Sequence, residues 1–167
     1  SGAMNNSFEP AMRAILEWEG GHVDDPEDPG GETKFGISKA AHPKVNISKL
    51  TKDKARKIYR RDYWDACGCN DLPSGLDVIV FDTAVNCGTD RAVRWLQQAV
   101  GAKVDGIMGP KTKTAATKAD PRGALREIVA LRGQHYGSLE TFERYGLGWM
   151  RRLTDMHQRA LHLIKTA

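Results

Sequence analysis

The chain has 167 residues, which suits one domain, or one domain with a small appended lobe, and lets about two thirds of the unfolded surface be buried. Hydrophobic residues make up 40% and charged residues 28%, as in an ordinary soluble globular protein. No apolar run approaches the roughly 20 residues that cross a bilayer, which excludes a membrane-spanning protein.

The net charge of +4 is distributed unevenly along the chain. Residues 1–35 contain eight acidic and two basic residues, a charge of −6, so the remainder carries +10. A basic body beside an acidic segment suits a large anionic partner, either nucleic acid or a bacterial wall with its carboxylates and phosphates. Charge alone does not choose between these partners.

The first predicted element is a helix over residues 9–18 that ends at Gly20 and Gly21, because glycine accepts the left-handed backbone of a helix C-terminus. One face of this helix is spaced i, i+3, i+4 and i+7 and comprises Met12, Ile15, Leu16 and Glu19. Glu19 is therefore expected to leave the helix on its buried side.

The segment after this helix is rich in acidic residues, proline and glycine, which indicates turns. A calcium loop is excluded because Pro26 and Pro29 break its Asp-x-Asp-x-Asp-Gly pattern. Residues 33–38 alternate as a short strand or hairpin edge does.

Helices are predicted for most of the remaining chain. Thr51 is expected to cap one of them, with Leu50 and Ala55 packing around the cap. Residues 77–81 fit a buried strand or a buried helix, and we choose a helix from the neighbouring segments.

Further caps follow in the second half of the chain. Thr89 is predicted to cap a helix over 90–100 that Gly101 closes, and Thr112 to cap the next one. Asp120 with Pro121 opens a longer helix, and the last helix is predicted to start at about residue 148.

Cys67, Cys69 and Cys87 are an odd number of cysteines in a chain of this size. Free, buried thiols in a protein made under reducing conditions are the simplest interpretation. Their spacing matches no common zinc site, so we expect no metal ion and no other cofactor.

The acidic residues suggest chemistry on a glycosidic bond. Such a reaction needs a carboxylic acid that stays protonated, and burial against apolar groups raises the pKa of a carboxyl. Glu19 combines an apolar helix face beside Trp18 with glycines that leave room for a substrate. A second acid would support the oxocarbenium-like transition state, and Asp28, nine residues on, is the first candidate. The alternative is that the loop is simply solvated and Glu19 is a surface residue.

Two stretches, "WEGGHVDDPEDPGGETKFGIS" and "YWDACGCNDLPSGLDVIVFDTAVNCG", resemble the signature of glycoside hydrolase family 108, which comprises phage endolysins and bacterial muramidases. The resemblance implies a mostly α, lysozyme-like fold with a short β-hairpin or extended loop near the active site. It implies that Glu19 is the catalytic acid acting on the β-1,4 bond between N-acetylmuramic acid and N-acetylglucosamine. The order Glu19, Asp28 and Thr33 is also similar to that of phage lysozymes, where the Asp and Thr hold or activate the attacking water.

Three further residues are candidates for substrate binding. His22 stands where the family has a tyrosine, so it either lines the sugar site with a group that titrates near neutrality or is an exposed loop histidine. Asp82 and Asn86 lie four residues apart in an apolar segment, where polar groups either hydrogen-bond in the core or face the cleft. The resemblance favours the cleft.

The second half resembles a peptidoglycan-binding region from about Arg91, including its "VDGIMGPKT" turn. We expect a catalytic region over 4–90 and a helical region over 91–167, packed into one compact, monomeric unit. Trp149 is interpreted as a core residue, and Arg151 or Arg152 as contacts to the wall.

Residues 1–3 resemble a remnant of cloning, and no secretory signal follows them. We therefore expect a protein made in the bacterial cytoplasm that reaches peptidoglycan in the periplasm with the help of a separate holin or secretion machinery. The rival interpretations are a lytic transglycosylase, a non-catalytic wall-binding protein and a nucleic-acid binder, the last disfavoured because no helix concentrates basic residues with interleaved aromatics. Whether a hydrolase of this kind retains or inverts the anomeric configuration depends on the carboxylate separation, and we favour inversion.

Overall fold

The computed structural model of the protein describes residues 7–20, 22–23 and 31–166. Its longer helices are α1 (Phe8–Glu19), α2 (Lys52–Tyr59), α3 (Leu76–Cys87), α4 (Thr89–Val100), α5 (Pro110–Lys118), α6 (Pro121–Ser138) and α7 (Phe142–Thr166). Its strands are β1 (His22–Val23), β2 (Thr33–Lys34) and β3 (Ile37–Ser38). The prediction of a mostly α fold with a short hairpin is confirmed.

Helix α3 lies at the centre of the fold. It is predominantly apolar and buried on every side, and Leu76, Ile79, Val80, Phe81 and Ala84 have no exposed surface. The helix packs against α1 on one side and against α4, α6 and α7 on others. The choice of helix over strand for residues 77–81 is confirmed.

The three strands form an antiparallel sheet in the order β1-β2-β3. Thr33 pairs with Ser38 and Lys34 with Ile37, so Phe35 and Gly36 form a two-residue turn. Both turn residues have positive φ, 51° and 76°, as a tight hairpin with right-handed strand twist requires. The predicted hairpin edge at residues 33–38 is confirmed.

A π-helical segment, Arg60–Asp65, continues α2 without a break. Because a π turn holds more residues than an α turn, the buried face shifts along the sequence. The face of Ala55, Ile58 and Tyr59 is therefore continued by the buried Trp64.

The predicted cap of α2 is confirmed, because the Thr51 side chain accepts a hydrogen bond from the Lys54 backbone N–H. Two other predicted caps are wrong. Helix α4 already begins at Thr89, so that residue is inside the helix and Gly88 precedes it. Helix α5 begins at Pro110, which places Thr112 within the first turn, where its hydroxyl accepts a hydrogen bond from Gln97.

The last helix begins earlier than predicted, at Phe142 instead of about residue 148. Gly146 and Gly148 weaken the helical signal there, but tertiary packing overrides local preference. None of the helices in the described part of the chain combines the length and apolar character needed to cross a membrane.

The three cysteines are buried and free, as predicted. Burial raises the pKa of Cys67 to about 12 and also raises the pKa of Cys69 and Cys87. These thiols are therefore protonated and unreactive at neutral pH.

Candidate active site

Glu19 is the last residue of α1, and its side chain leaves the helix next to the hairpin turn. The side chain is 23% exposed, so it is partly buried and still reaches solvent. Gly20 follows with a φ of 55°, which ends the helix at the carboxylate.

The hairpin turn packs closely on Glu19. A Cβ added at Gly36 would lie 2.7 Å from the Cβ of Glu19, a distance that real side chains do not tolerate. The Tyr59 hydroxyl donates a hydrogen bond of 2.6 Å to the Phe35 carbonyl and so holds the same turn. The hairpin is thus fixed against the carboxylate by a glycine and a buried tyrosine.

Two tyrosines of α2 and the π-helical segment lie near Glu19. Burial raises the pKa of Tyr59, and the negative charge of Glu19 raises it further. The pKa of Tyr63 is raised by burial, with smaller contributions from Asp62 and Glu19. Both phenols therefore stay neutral at working pH. The hydroxyl of Tyr59 donates to the Phe35 carbonyl, and that of Tyr63 lies 3.5 Å from Nε2 of His42.

Arg152 of α7 pairs directly with Glu19. Its Nη1 lies 2.5 Å from Glu19 Oε1, and the arginine is only 6% exposed. Its Nε and Nη2 donate to Oδ1 of Asp82 at 3.0 and 2.8 Å. Burial alone would lower the pKa of Arg152, but the charges of Asp82 and Glu19 raise it, so the guanidinium stays charged.

A second buried arginine completes this group of charges. Arg132 Nη2 lies 2.7 Å from Asp82 Oδ2, an ion pair at short distance that lacks the alignment of a hydrogen bond. Arg132 also donates to the Tyr136 hydroxyl at 2.8 Å and to Thr83 Oγ1 at 3.1 Å. We call Glu19, Arg152, Asp82 and Arg132 the charge network; two positive and two negative side chains alternate along it.

The network borders a partly exposed polar group on α3. Asn86 is half-buried, and its Oδ1 accepts a hydrogen bond from the Tyr136 hydroxyl. The Tyr136 ring in turn stacks on Trp149, with ring centroids 5.1 Å apart. The prediction that Trp149 packs in the core is met in part, because the ring packs against the core and is half-buried.

A sequence model described as "Glycosyl hydrolase 108" matches residues 12–88, and one described as "Predicted Peptidoglycan domain" matches residues 91–154. The solved structure of SagA from Brucella abortus is similar, with 38% sequence identity, a TM-score of 0.86 and coverage of 94% of this chain and 95% of SagA. The chain belongs to the glycosyl hydrolase 108 family. No curated protein matches it.

The two matches identify this glycosyl hydrolase 108 protein as a peptidoglycan hydrolase, a glycoside hydrolase whose partner is peptidoglycan. The charge network connects the two matched parts. Glu19 and Asp82 lie in the hydrolase match, whereas Arg132 and Arg152 lie in the peptidoglycan-domain match.

The structure describes the other candidate site residues of this family member to different extents. Thr33 lies on β2, where its hydroxyl donates to the Gly31 carbonyl at 3.3 Å and its strand is part of the hairpin beside Glu19. His22 lies on β1 opposite Lys34, and its side chain is outside the described part of the structure. Asp28 also lies outside the described residues.

Two candidates need correction. Asp82 has no exposed surface, and both of its oxygens face arginines, so it takes the core alternative and does not contact substrate. Arg151 or Arg152 was expected to contact the wall; Arg152 is buried and paired with Glu19, so of the two only Arg151 is exposed. A substrate-binding role for Asn86 stays a prediction.

Among the described residues, no cluster of three or more histidine, cysteine, aspartate or glutamate side chains could hold a metal ion. The side chain in direct contact with Glu19 is Arg152, and the Glu19 carboxyl is the group of this site that reaches solvent and can donate a proton.

Proposed function

We propose that this peptidoglycan hydrolase is an endolysin-type N-acetylmuramidase, which hydrolyses the β-1,4 bond between N-acetylmuramic acid and N-acetylglucosamine. The observation that supports this most directly is the setting of Glu19: a carboxyl at a helix end, 23% exposed, between the hairpin turn and a buried arginine. A proton donor to a glycosidic oxygen needs this combination of a fixed orientation and access for the substrate.

In the proposed reaction, Glu19 gives its proton to the leaving glycosidic oxygen as the bond to the anomeric carbon breaks. Asp28 and Thr33 hold or activate the water that attacks this carbon, and the water's second proton passes to the aspartate. The two products are a reducing sugar end and a free hydroxyl. His22 and Asn86 are proposed to line the sugar site.

We further propose that the protein acts as a monomer on the wall in the periplasm of a bacterium. A separate holin or secretion machinery would bring it there. The excess of basic residues after residue 35 supports adhesion to the anionic wall.

Replacing the acid tests this proposal. Glu19→Gln keeps the size of the side chain but removes the proton, so release of reducing ends from purified peptidoglycan should fall at least about a hundredfold. Binding to sedimented sacculi should be unchanged. Glu17→Gln is the matched control, because Glu17 is exposed on the same helix and pairs with Arg159 at 2.9 Å, away from the hairpin. Appreciable lysis by Glu19→Gln would contradict the assignment.

Mass spectrometry of the released muropeptides identifies the bond and the reaction. A muramidase leaves reducing N-acetylmuramic acid ends, which we expect. Anhydro ends would show that the protein is a lytic transglycosylase, and reducing N-acetylglucosamine ends that a different bond is cut.

A further inference from the structure

The guanidinium of Arg152 is held at more than one point before it reaches Glu19. Two of its nitrogens, Nε and Nη2, converge on Oδ1 of Asp82 at 3.0 and 2.8 Å. This double contact fixes the plane of the guanidinium and directs the third nitrogen, Nη1, to Oε1 of Glu19. A single point charge could not be directed in this way.

The Asp82 side chain is itself restrained by burial and by a second ion pair. It is fully buried, and its second oxygen lies 2.7 Å from Arg132 Nη2. Arg132 is held by the hydroxyls of Tyr136 and Thr83. The contact to Glu19 therefore ends a chain of fixed groups that begins in the interior, between α3 and α6.

We propose that Arg152 is a positioning residue for the reaction: it orients the Glu19 carboxyl for proton delivery, so the second half of the chain supplies part of the active site. This inference rests on the proposed role of Glu19 as the acid. Because Arg152 holds Oε1, the proton that is delivered is carried by Oε2. Transfer of that proton to the glycosidic oxygen leaves Glu19 as a carboxylate, which the guanidinium stabilises as it forms.

The groups that face Glu19 hold its carboxyl in place. Among the described residues, these are Arg152 from α7, Asp82 behind it on α3, and the phenols of Tyr59 and Tyr63. Arg152 supplies the positive charge in direct contact with the carboxylate. Removing Arg152 therefore removes both the contact that orients the carboxyl and the charge that stabilises the carboxylate left by proton transfer.

The network suggests a variant that should still fold. In Arg152→Met, Asp82 keeps Arg132 as its partner, and Glu19 keeps its access to water. We expect turnover at the pH optimum to fall about tenfold to a hundredfold, because the acid loses its fixed orientation. The loss should appear in kcat, with the KM for soluble peptidoglycan fragments within about twofold of wild type, because Arg152 acts on the acid and not on the substrate. Binding to sacculi should stay within about twofold of wild type.

Arg152→Lys separates charge from geometry. Lysine keeps the positive charge but cannot make the double contact to Asp82. We expect turnover between that of Arg152→Met and that of wild type. This variant also keeps the inference testable if Arg152→Met melts at a much lower temperature than wild type.

Arg159→Met is the matched control. Arg159 lies on the same helix, and its Nη2 pairs with Glu17 Oε2 of α1 at 2.9 Å, so its loss breaks an α1–α7 ion pair without touching Glu19. Turnover should match wild type.

Several results would overturn the inference. Unchanged turnover in Arg152→Met or full turnover in Arg152→Lys would each do so. A loss in Arg152→Met that appears as a higher KM with an unchanged kcat would also overturn it, because it would indicate a role in binding substrate. An equal loss of turnover in Arg159→Met would mean that the effect is not specific to Glu19. An active Glu19→Gln variant would instead overturn the proposed function, so the two failures are distinguishable.

Discussion

The interior of this protein holds the charged side chains of the charge network because each of them is paired with a side chain of opposite charge. Isolated buried ions are costly, but Asp82 faces Arg132 and Arg152, and each of those arginines has a further partner. Arginine suits these positions better than lysine because its planar fork can bind two acceptors at once. The pairing has a functional consequence, since its last member is the proposed catalytic acid.

His42 should make stability depend on pH. Burial is the main cause that lowers the pKa of His42, although Asp62, 3.7 Å away, opposes it. Below about pH 6.5 the unfolded chain therefore binds more protons than the folded protein, so stability falls as the pH drops through this window. In His42→Gln, the free energy of unfolding in urea should fall less between pH 7.5 and pH 5.5.

The His42→Gln change should remove only part of the pH dependence of stability. The pKa of His135 is also lowered, by burial and by the charge of Arg91, so His135 contributes in the same direction. An identical pH dependence in wild type and His42→Gln would show that His42 does not contribute.

Among the elements, the hairpin β2–β3 is the one whose geometry most directly affects the site. Its turn needs two residues with positive φ and one without a side chain, because Gly36 lies against both Glu19 and Tyr59. The π-helical segment after α2 has a related effect. It shifts the buried face by one residue, so that Trp64, five residues after the buried Tyr59, enters the core.

Gly36→Ala should damage both stability and turnover. A positive φ strains a residue with a Cβ by about 1–3 kcal/mol, and the new methyl group would also displace Glu19 or the hairpin. We expect a lower free energy of unfolding in urea and a clear loss of reducing-end release.

Gly101→Ala is the control for strain alone. Gly101 has a similar φ of 74°, and nothing lies within 4 Å of an added Cβ. For Gly101→Ala we expect a smaller loss of stability, from strain alone, with normal turnover. An equal loss of turnover in both variants would argue against a specific contact with Glu19.

At the scale of the whole molecule, α3 joins the two parts of the chain. It is matched by the hydrolase model, yet α4, α6 and α7 of the second half cover much of its surface. The charge network crosses the same boundary. Both observations argue that the two parts depend on each other for folding.

A fragment of residues 1–90 tests this dependence. It would expose apolar residues of α3 and leave Asp82 without either arginine partner. We expect no cooperative thermal transition, binding of a hydrophobic dye and no lysis, each measured beside the full chain. A fragment that melts cooperatively and cuts peptidoglycan would show that the first half is an independent catalytic domain.

The sequence by itself determined most of the helices, the hairpin at residues 33–38 and the position of Glu19 at a helix end. These features depend on neighbours a few residues apart, through the periodicity of apolar side chains, glycine at helix ends and the Thr51 cap. The sequence motifs also indicated the family correctly.

Only the tertiary structure decided which side chains surround Glu19. Arg152 is 133 residues from Glu19 in sequence and 70 from Asp82, so no local pattern relates them. For the same reason, sequence reasoning offered Arg151 or Arg152 as wall contacts and favoured the cleft over the core for Asp82. Burial and long-range charge pairing arise when helices pack against each other, and helical periodicity does not specify which charged residues then meet.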